Sequence, residues 1–234
     1  MEFKEVIRQI KSRANPANVA GMARYGIRAK KIYGVSMPVI RRMAKQIGRD
    51  HTLAGRLWLS GIHDARILAG LIDDPALVTS KQMDKWVKDF YSWDVCDQVC
   101  SNLFDKTGFA YHKAVQWTKR KEEFVRRAGF VLMATLSVHD KKAPDSRFLK
   151  FLPLIKKHST DERNFVRKAV NWALRQIGKR NLKLNQAAIR AGKEIQKKDS
   201  RSAKWIAADA LRELTGKAVQ KRLKGSRGIP KIIK

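Results

Sequence analysis

The segment SWDVCDQ, residues 92–98, places an indole and a carboxylate four residues apart. On a helix, Trp93 and Asp97 are therefore neighbours on one face. A carboxylate among aromatic rings is costly to bury without a partner. Two interpretations are open: Asp97 is a structural carboxylate paired with a buried arginine, or it is aimed at a cation that develops during a reaction.

Aromatic residues extend this face if the chain from residue 80 to residue 104 forms one roughly continuous helix. The predicted stripe would then contain Trp86, Phe90, Trp93, Asp97 and Phe104. Ser92 suits an N-cap, so a local break there is compatible with the sequence. Such a break would still leave Asp97 one turn after Trp93.

A second helical segment, 120–136, places Arg127 on a largely apolar stripe. A buried guanidinium needs an anion. Asp97, Asp94 or a phosphate gripped in bidentate fashion would meet that need, and the sequence does not choose among them.

A third segment, 161–178, carries Trp172 away from the face that is predicted to pack in the core. Trp172 is interpreted either as a stacking platform beside phosphates or as a residue packed against an adjacent repeat. Trp205 also lies off the core face of its helix, and it either extends this surface or packs under the last repeat. The predicted DNA-binding residues are Arg126, Lys168, Arg175, Lys179, Arg201 and Trp205.

The elements that position these residues are predicted to be helices arranged as repeats. The pattern FVRRAGFVLMA, residues 124–134, returns 41 positions later as FVRKAVNWALR, residues 165–175. A period near 40 residues indicates stacked helix pairs of the HEAT type. We predict an all-α, right-handed solenoid of antiparallel helix pairs with a concave basic face.

Composition indicates a polyanionic partner. The 234 residues contain 51 Lys and Arg against 21 Asp and Glu, a net charge of +30. Such an excess favours nucleic acid, although a solvated, highly soluble surface is the alternative. No run of 18 apolar residues and no secretory signal are visible, so we expect a cytoplasmic protein, associated with the nucleoid if the source is a prokaryote.

Residues 1–215 are predicted to form one domain, and residues 216–234 a disordered basic tail. No acidic residue follows Glu213, and the last ten residues contain two glycines and a proline. This tail is expected either to attract phosphates loosely or to be an inert terminus.

Metal and nucleotide chemistry is not indicated. Cys96 and Cys100 are predicted to be buried thiols, and no second pair exists to complete a zinc site. The histidines have no metal or triad spacing and are predicted to be surface or capping residues; they are His51, His63, His112, His139 and His158. No Gly-rich phosphate loop is present, so we expect no cofactor and no use of ATP.

Taken together and in order, several segments resemble the AlkD-like DNA alkylation repair glycosylases, which are built of HEAT-like repeats. The likeness covers residues 1–215. The segments are YGVSMPVIRRMAKQIG, LAGRLWLSGIHDARILAGLI, WDVCD, FVRRAGFVLMA and FVRKAVNWALR.

This resemblance implies a site made of Trp93, Asp97, Arg127 and Trp172. It implies a monomeric enzyme that excises cationic alkylated purines, of the N3-methyladenine and N7-methylguanine type, from double-stranded DNA without flipping the base. The residues suit this chemistry, since an alkylated purine is already cationic and leaves without a general acid. Two alternatives stay open: a HEAT-like adaptor that binds nucleic acid or an acidic protein without chemistry, and an RNA-binding solenoid.

Overall fold

The computed structural model describes residues 1–225, which form helices and contain no β-strand. The all-α prediction is therefore confirmed for this part of the chain. Two compact units are present: the first comprises Met1–Ala110, and the second begins at Tyr111. That residues 1–215 act as one domain stays a prediction.

The first unit contains seven α-helices and a short 3-10 helix within its described residues. They are α1 (Phe3–Ser12), α2 (Pro16–Arg24), α3 (Met37–Ile47), α4 (His51–Leu59), α5 (His63–Ile72), α6 (Ser80–Lys88), α7 (Trp93–Asn102) and the 3-10 helix Phe104–Lys106.

Local sequence explains where several of these helices begin. The side chain of Asn15 accepts a hydrogen bond from the backbone N–H of Asn18 at 3.0 Å, and Asp50 does the same for Leu53 at 2.8 Å. These bonds satisfy N–H groups that the first helical turn leaves without a partner. Ser36 occupies the N-cap position of α3, with Pro38 in the first turn.

Helix α5 lies at the centre of the first unit and packs against α3, α4 and α7. At Gly70, α5 approaches α7 so closely that a Cβ atom would lie 2.9 Å from Cγ2 of Val99 and 3.3 Å from its Cα. The absence of a side chain at position 70 therefore sets the distance between these two helices.

The helix predicted from residue 80 to residue 104 is not continuous, and the alternative of a break at Ser92 is confirmed. The chain leaves α6 at Lys88 and begins α7 at Trp93, with Ser92 as the N-cap. Trp86, Phe90 and Phe104 are buried, and the Trp86 ring stacks on Trp58 with centroids 4.1 Å apart. Because the break resets the helical register, these rings form a core cluster, whereas Trp93 and Asp97 stay partly exposed.

The second unit contains eight α-helices within its described residues. They are α8 (Ala110–Thr118), α9 (Glu123–His139), α10 (Asp145–Leu149), α11 (Leu152–His158), α12 (Asn164–Gly178), α13 (Leu182–Gln196), α14 (Arg201–Thr215) and α15 (Lys217–Gly225). Helices α10 and α11 are separate, since Pro153 fits only the first turn of a helix.

The repeated pattern marks two helices that pack against each other. The rings of Phe124 on α9 and Phe165 on α12 have centroids 5.4 Å apart. Helix α12 also packs against α13 and α14. The predicted core face of α12 is confirmed, since all its members are buried: Val166, Ala169, Val170, Ala173, Leu174 and Ile177.

The tail was predicted to be disordered from residue 216, but Lys217–Gly225 form α15, which packs on α14. Leu223 is buried, so an apolar contact holds this helix although its other residues are mostly polar. Residues 226–234 lie outside the described residues.

Candidate functional site

Helix α7 presents Trp93 and Asp97 on its partly exposed side. The opposite side is buried and consists of Val95, Cys96, Val99 and Cys100. Burial raises the pKa of the Cys100 thiol well above its ordinary value, as does its hydrogen bond with Cys96. The two cysteines are therefore buried thiols, as predicted. They lie on the side of α7 that packs in the core, opposite the side that carries Trp93 and Asp97.

The indole of Trp93 is held by the connection that follows α2. Its Nε1–H donates to the backbone carbonyl of Tyr25 at 3.0 Å. The ring lines a pocket of about 420 Å³, together with Met22, Met37 and Ile67. Trp93 is thus a fixed wall of this pocket.

A buried histidine connects α5 to the start of α7. His63 Nε2 lies 2.9 Å from Asp94 Oδ2, and His63 Nδ1 lies 2.9 Å from the Tyr91 hydroxyl. Because a carboxylate only accepts, Nε2 carries a proton; in neutral His63, Nδ1 then accepts from Tyr91. The prediction that His63 is a surface or capping residue is wrong, since this side chain is fully buried.

The two partners of His63, Tyr91 and Asp94, both have shifted pKa values. Burial raises the pKa of Tyr91, so its phenol stays protonated. Burial alone would raise the pKa of Asp94 too, but the hydrogen bond and charge of His63 outweigh it and hold that pKa below its ordinary value. Asp94 is therefore ionised at neutral pH.

The charges that line this pocket are negative. Asp94 and the buried Asp64 both belong to its wall, and no lysine or arginine among the described residues does. Asp64 accepts hydrogen bonds from the backbone N–H groups of Tyr33 at 2.8 Å and Val35 at 2.7 Å. These amide dipoles stabilise a negative charge on Asp64.

In the second unit, Arg127 on α9 is 5% exposed, and its Nη1 donates to the backbone carbonyl of Phe165 on α12 at 2.6 Å. Arg126 is also engaged within the unit. It donates to the Thr118 carbonyl at 3.1 Å and to Asp161 at 2.8 Å. These contacts fix the connections before α9 and α12, and contact of Arg126 with DNA stays a prediction.

Asp161 is the centre of a compact ionic cluster. Besides Arg126, it binds Arg163 through both guanidinium and backbone N–H groups, at 2.6 to 3.2 Å. Burial would raise the pKa of Asp161, but the hydrogen bonds from Arg163 and Arg126 lower it to about 2. Beside this cluster, burial and the charges of Arg126 and Lys157 lower the pKa of His158 to about 4.

Helix α12 carries Lys168, which is exposed, and Trp172, which is partly exposed. The basic residues that follow them are paired with acids of α14. Arg175 contacts Glu213 and lies 3.0 Å from Asp209, and Lys179 lies 2.7 Å from Glu213. The predicted basic surface around Trp172 is therefore partly neutralised.

Helix α14 carries the remaining predicted residues, Arg201 and Trp205, which are both exposed. Trp205 is 39% exposed, and the guanidinium carbon of Arg167 lies 5.2 Å from the centroid of its ring. This distance is within the range of a cation–π contact.

The structure therefore confirms the Trp93–Asp97 neighbourhood within the first unit, and it places Arg127 and Trp172 on two packed helices of the second. Sequence reasoning missed His63, Tyr91, Asp161 and the acids of α14. A lone histidine or acid carries no signal of its own, because its partner is set by helix packing.

Two classes of feature are missing from the described chain. Nowhere in residues 1–225 do three His, Cys, Asp or Glu side chains gather in a way that could hold a metal ion. None of the helices in this range is long and apolar enough to cross a membrane.

A comparison with solved structures identifies the architecture. One match covers 97% of this chain and 96% of that chain, with a TM-score of 0.76 and 20% sequence identity. It represents "a new family of proteins related to the HEAT-like repeat DNA glycosylases with affinity for branched DNA structures". At this identity the match shows the fold, so the predicted HEAT-like class is confirmed.

No curated protein sequence matches the chain. A family model described as DNA alkylation repair enzyme matches residues 6–214. Because this match covers most of the chain, the protein belongs to the DNA alkylation repair enzyme family.

Proposed function

We propose that this protein is a DNA glycosylase that hydrolyses the N-glycosidic bond of cationic alkylated purines in duplex DNA. The observation that carries the proposal is the placement of Trp93 and Asp97 one turn apart on the partly exposed side of α7. Membership of the DNA alkylation repair enzyme family supports it. The substrate class is of the N3-methyladenine and N7-methylguanine type.

The proposed reaction follows from the charge of the substrate. When the bond between C1′ and the base nitrogen breaks, its electron pair neutralises the purine, which leaves without protonation. Positive charge develops on the deoxyribose, as in glycoside hydrolysis generally. The oxygen of a water molecule then bonds to C1′, and the proton that this water loses passes to solvent.

Asp97 stabilises the cationic sugar and positions the water in this proposal. Two unit charges about 4 Å apart at an effective dielectric near 20 attract by about 4 kcal/mol. If this attraction arises only in the transition state, it accelerates the reaction by about 10³. The indole face of Trp93 adds cation–π stabilisation.

The second unit supplies the residues that we propose hold the DNA. Lys168 and Arg175 contact phosphates, and Trp172 and Arg127 are proposed to take part in base release. The enzyme needs no metal, does not flip the base and works as a monomer. Its place of action is the compartment that holds the DNA, the cytoplasm or nucleoid.

The first test is Asp97→Asn, which removes the negative charge with little change in shape. We expect base release from methylated duplex DNA to fall by about 10³ in single-turnover assays, because the stabilisation of the sugar cation is lost. Affinity for the same DNA, measured by fluorescence anisotropy, should stay within about twofold of the wild-type value.

Asp94→Asn is the matched control, since it removes a carboxylate from the same helix three residues earlier. Its thermal stability should fall because His63 loses an ionised partner, but base release at permissive temperature should persist. Equal loss of base release in both variants, or joint loss of binding and base release in Asp97→Asn, would contradict the assignment of Asp97.

A second candidate function is DNA binding without chemistry. It is favoured by the solved relative, which is described by its affinity for branched DNA structures. Incubation of the wild-type protein with methylated duplex, followed by chromatography of released bases, separates the two candidates. Binding of branched DNA with no released purine would support the second.

A further inference from the structure

The surface of α14 carries an exposed indole that the proposed reaction does not use. The buried side of this helix consists of Ala203, Ile206, Ala207, Ala210 and Leu214. Trp205 points away from them and is 39% exposed, which is unusual for the largest side chain. Arg167, on the neighbouring α12, holds the ring through a cation–π contact of 5.2 Å.

The position of Trp205 becomes meaningful when α12 and α14, which pack against each other, are aligned by their buried residues. Val166, Ala169, Val170 and Ala173 on α12 have the same spacing as Ala203, Ile206, Ala207 and Ala210 on α14. Lys168 and Trp205 each lie two positions after the first residue of its set, and both are exposed. These two equivalent positions form a short row on the surface of the second unit.

The two members of this row differ in chemistry, since Lys168 is a cation and Trp205 is an aromatic ring. Arg201, one helical turn before Trp205, is exposed, as are Lys204 and Arg212 on the same helix. Lys204 and Arg212 contact Asp199 and Asp209. A basic surface of this kind complements the phosphates of DNA.

An indole is a poor partner for a phosphate but a good partner for the face of a nucleobase. In an intact duplex that face is covered by the neighbouring base pairs. A base becomes available only where pairing is interrupted, at a gap, a flap or a branch point.

We propose that Trp205 stacks an unpaired nucleobase of DNA, while Lys168 and Arg201 contact the adjoining phosphates. This inference rests on the DNA-binding part of the proposed function and is independent of base release. The protein would accordingly prefer DNA in which an unpaired base lies close to the duplex that occupies the row.

The test compares two unmodified DNA ligands of the same length, an intact duplex and a duplex with a gap of three thymidines. Trp205→Ala should weaken binding of the gapped DNA by about 10- to 100-fold, because stacking of one base on an aromatic ring is worth about 1–3 kcal/mol. Binding of the intact duplex should change by less than about threefold. Trp205→Phe should restore most of the affinity.

Phe109→Ala is the matched control, since Phe109 is an aromatic residue that is 41% exposed in the first unit. It should leave both affinities unchanged. Unfolding curves of all variants would establish that α14 stays folded.

A direct readout uses 5-iodouracil in place of a gap thymidine. Irradiation should cross-link this base to Trp205, as located by mass spectrometry of the digested complex. An equal loss of affinity for both DNAs, no loss for either, or a cross-link outside α14 would overturn the proposal. Trp205 would then contact DNA without selecting an unpaired base, or it would bind a protein.

The outcome is distinguishable from failure of the proposed glycosylase reaction. If the wild-type protein releases no purine from methylated DNA, the reaction is refuted, whereas the preference for gapped DNA is measured on DNA without any lesion. If Trp205→Ala binds both DNAs normally and still releases purines, only the stacking proposal is refuted.

Discussion

The two units stabilise the carboxylates near their candidate site residues in different ways. In the first unit, Asp64 is bound by backbone amides and Asp94 by His63. In the second, Asp161 lies between two guanidinium groups, and Glu213 between Arg175 and Lys179. The first arrangement leaves negative charge near Trp93, whereas the second neutralises it.

In the proposed function, this difference separates two kinds of contact. Asp64 and Asp94 place negative charge beside Trp93, which favours the deoxyribose cation that forms as the neutral purine leaves. In the second unit, the acids of α14 limit how much of the positive charge of Arg175 and Lys179 is available to phosphates. We accordingly propose chemistry on α7 and DNA contacts on α12 and α14.

Among the variants that alter these carboxylates, we expect the one at Asp161 to change the free energy of unfolding most. Asp161→Asn should lower the free energy of unfolding by about 3 kcal/mol, because Arg126 and Arg163 lose a buried anionic partner. Urea unfolding followed by circular dichroism would measure it. Asp199→Asn, which removes a fully exposed carboxylate of the same unit, should leave the midpoint unchanged. Similar midpoints for the two variants would show that the cluster adds no stability.

A smaller effect, on affinity for DNA, is expected at Glu213. Glu213→Gln removes the acid that holds Lys179 and one of the two acids that hold Arg175, so more of their positive charge becomes available to phosphates. We expect duplex DNA to bind about threefold more tightly at low salt, with a salt dependence steeper by about one released counterion.

Glu194→Gln, which alters an exposed pair with Lys156 on α11, is the control for a general change of net charge. Fluorescence anisotropy at several salt concentrations would compare them. If both variants bind equally, Glu213 does not restrain Arg175 and Lys179.

The weakest of these effects is the contribution of His158 to the pH dependence of stability. Burial lowers the pKa of His158 from 6.5 to about 4, so the unfolded chain binds a proton that the folded chain rejects between these values. Stability from this residue is therefore present above about pH 6.5 and falls as the pH is lowered to about 4. His158→Gln should flatten the pH dependence of the free energy of unfolding in that window. A variant with the wild-type slope would show that other groups dominate.

Much of the helical framework could be predicted, because its determinants are local. Asn15, Asp50 and the Ser36–Pro38 segment specify helix starts, and the 41-residue pattern specifies that α9 and α12 are equivalent. Trp93 and Asp97 could be predicted as neighbours because they share one helical turn.

Contacts between helices could not be predicted in the same way. Residues 89–92 interrupt the helix, so the register of α6 does not continue into α7, and Trp86 and Phe90 are buried in the core. Packing, and no local pattern, sets the register across such a segment. The pairing of Arg175 with Glu213 joins residues 38 positions apart on different helices. It depends on how α14 lies against α12, which no local pattern specifies.

Gly70 shows how far the consequences of such packing reach. The carboxylate proposed to act on the sugar stands on α7, and the separation of α7 from α5 is set by a missing methyl group, where a Cβ would come within 2.9 Å of Val99. Val99 follows Asp97 by only two residues. In the proposed reaction, the position of Asp97 relative to the sugar therefore depends on the close packing of α5 against α7. We expect that any residue larger than glycine at position 70 would displace α7 and, with it, Asp97.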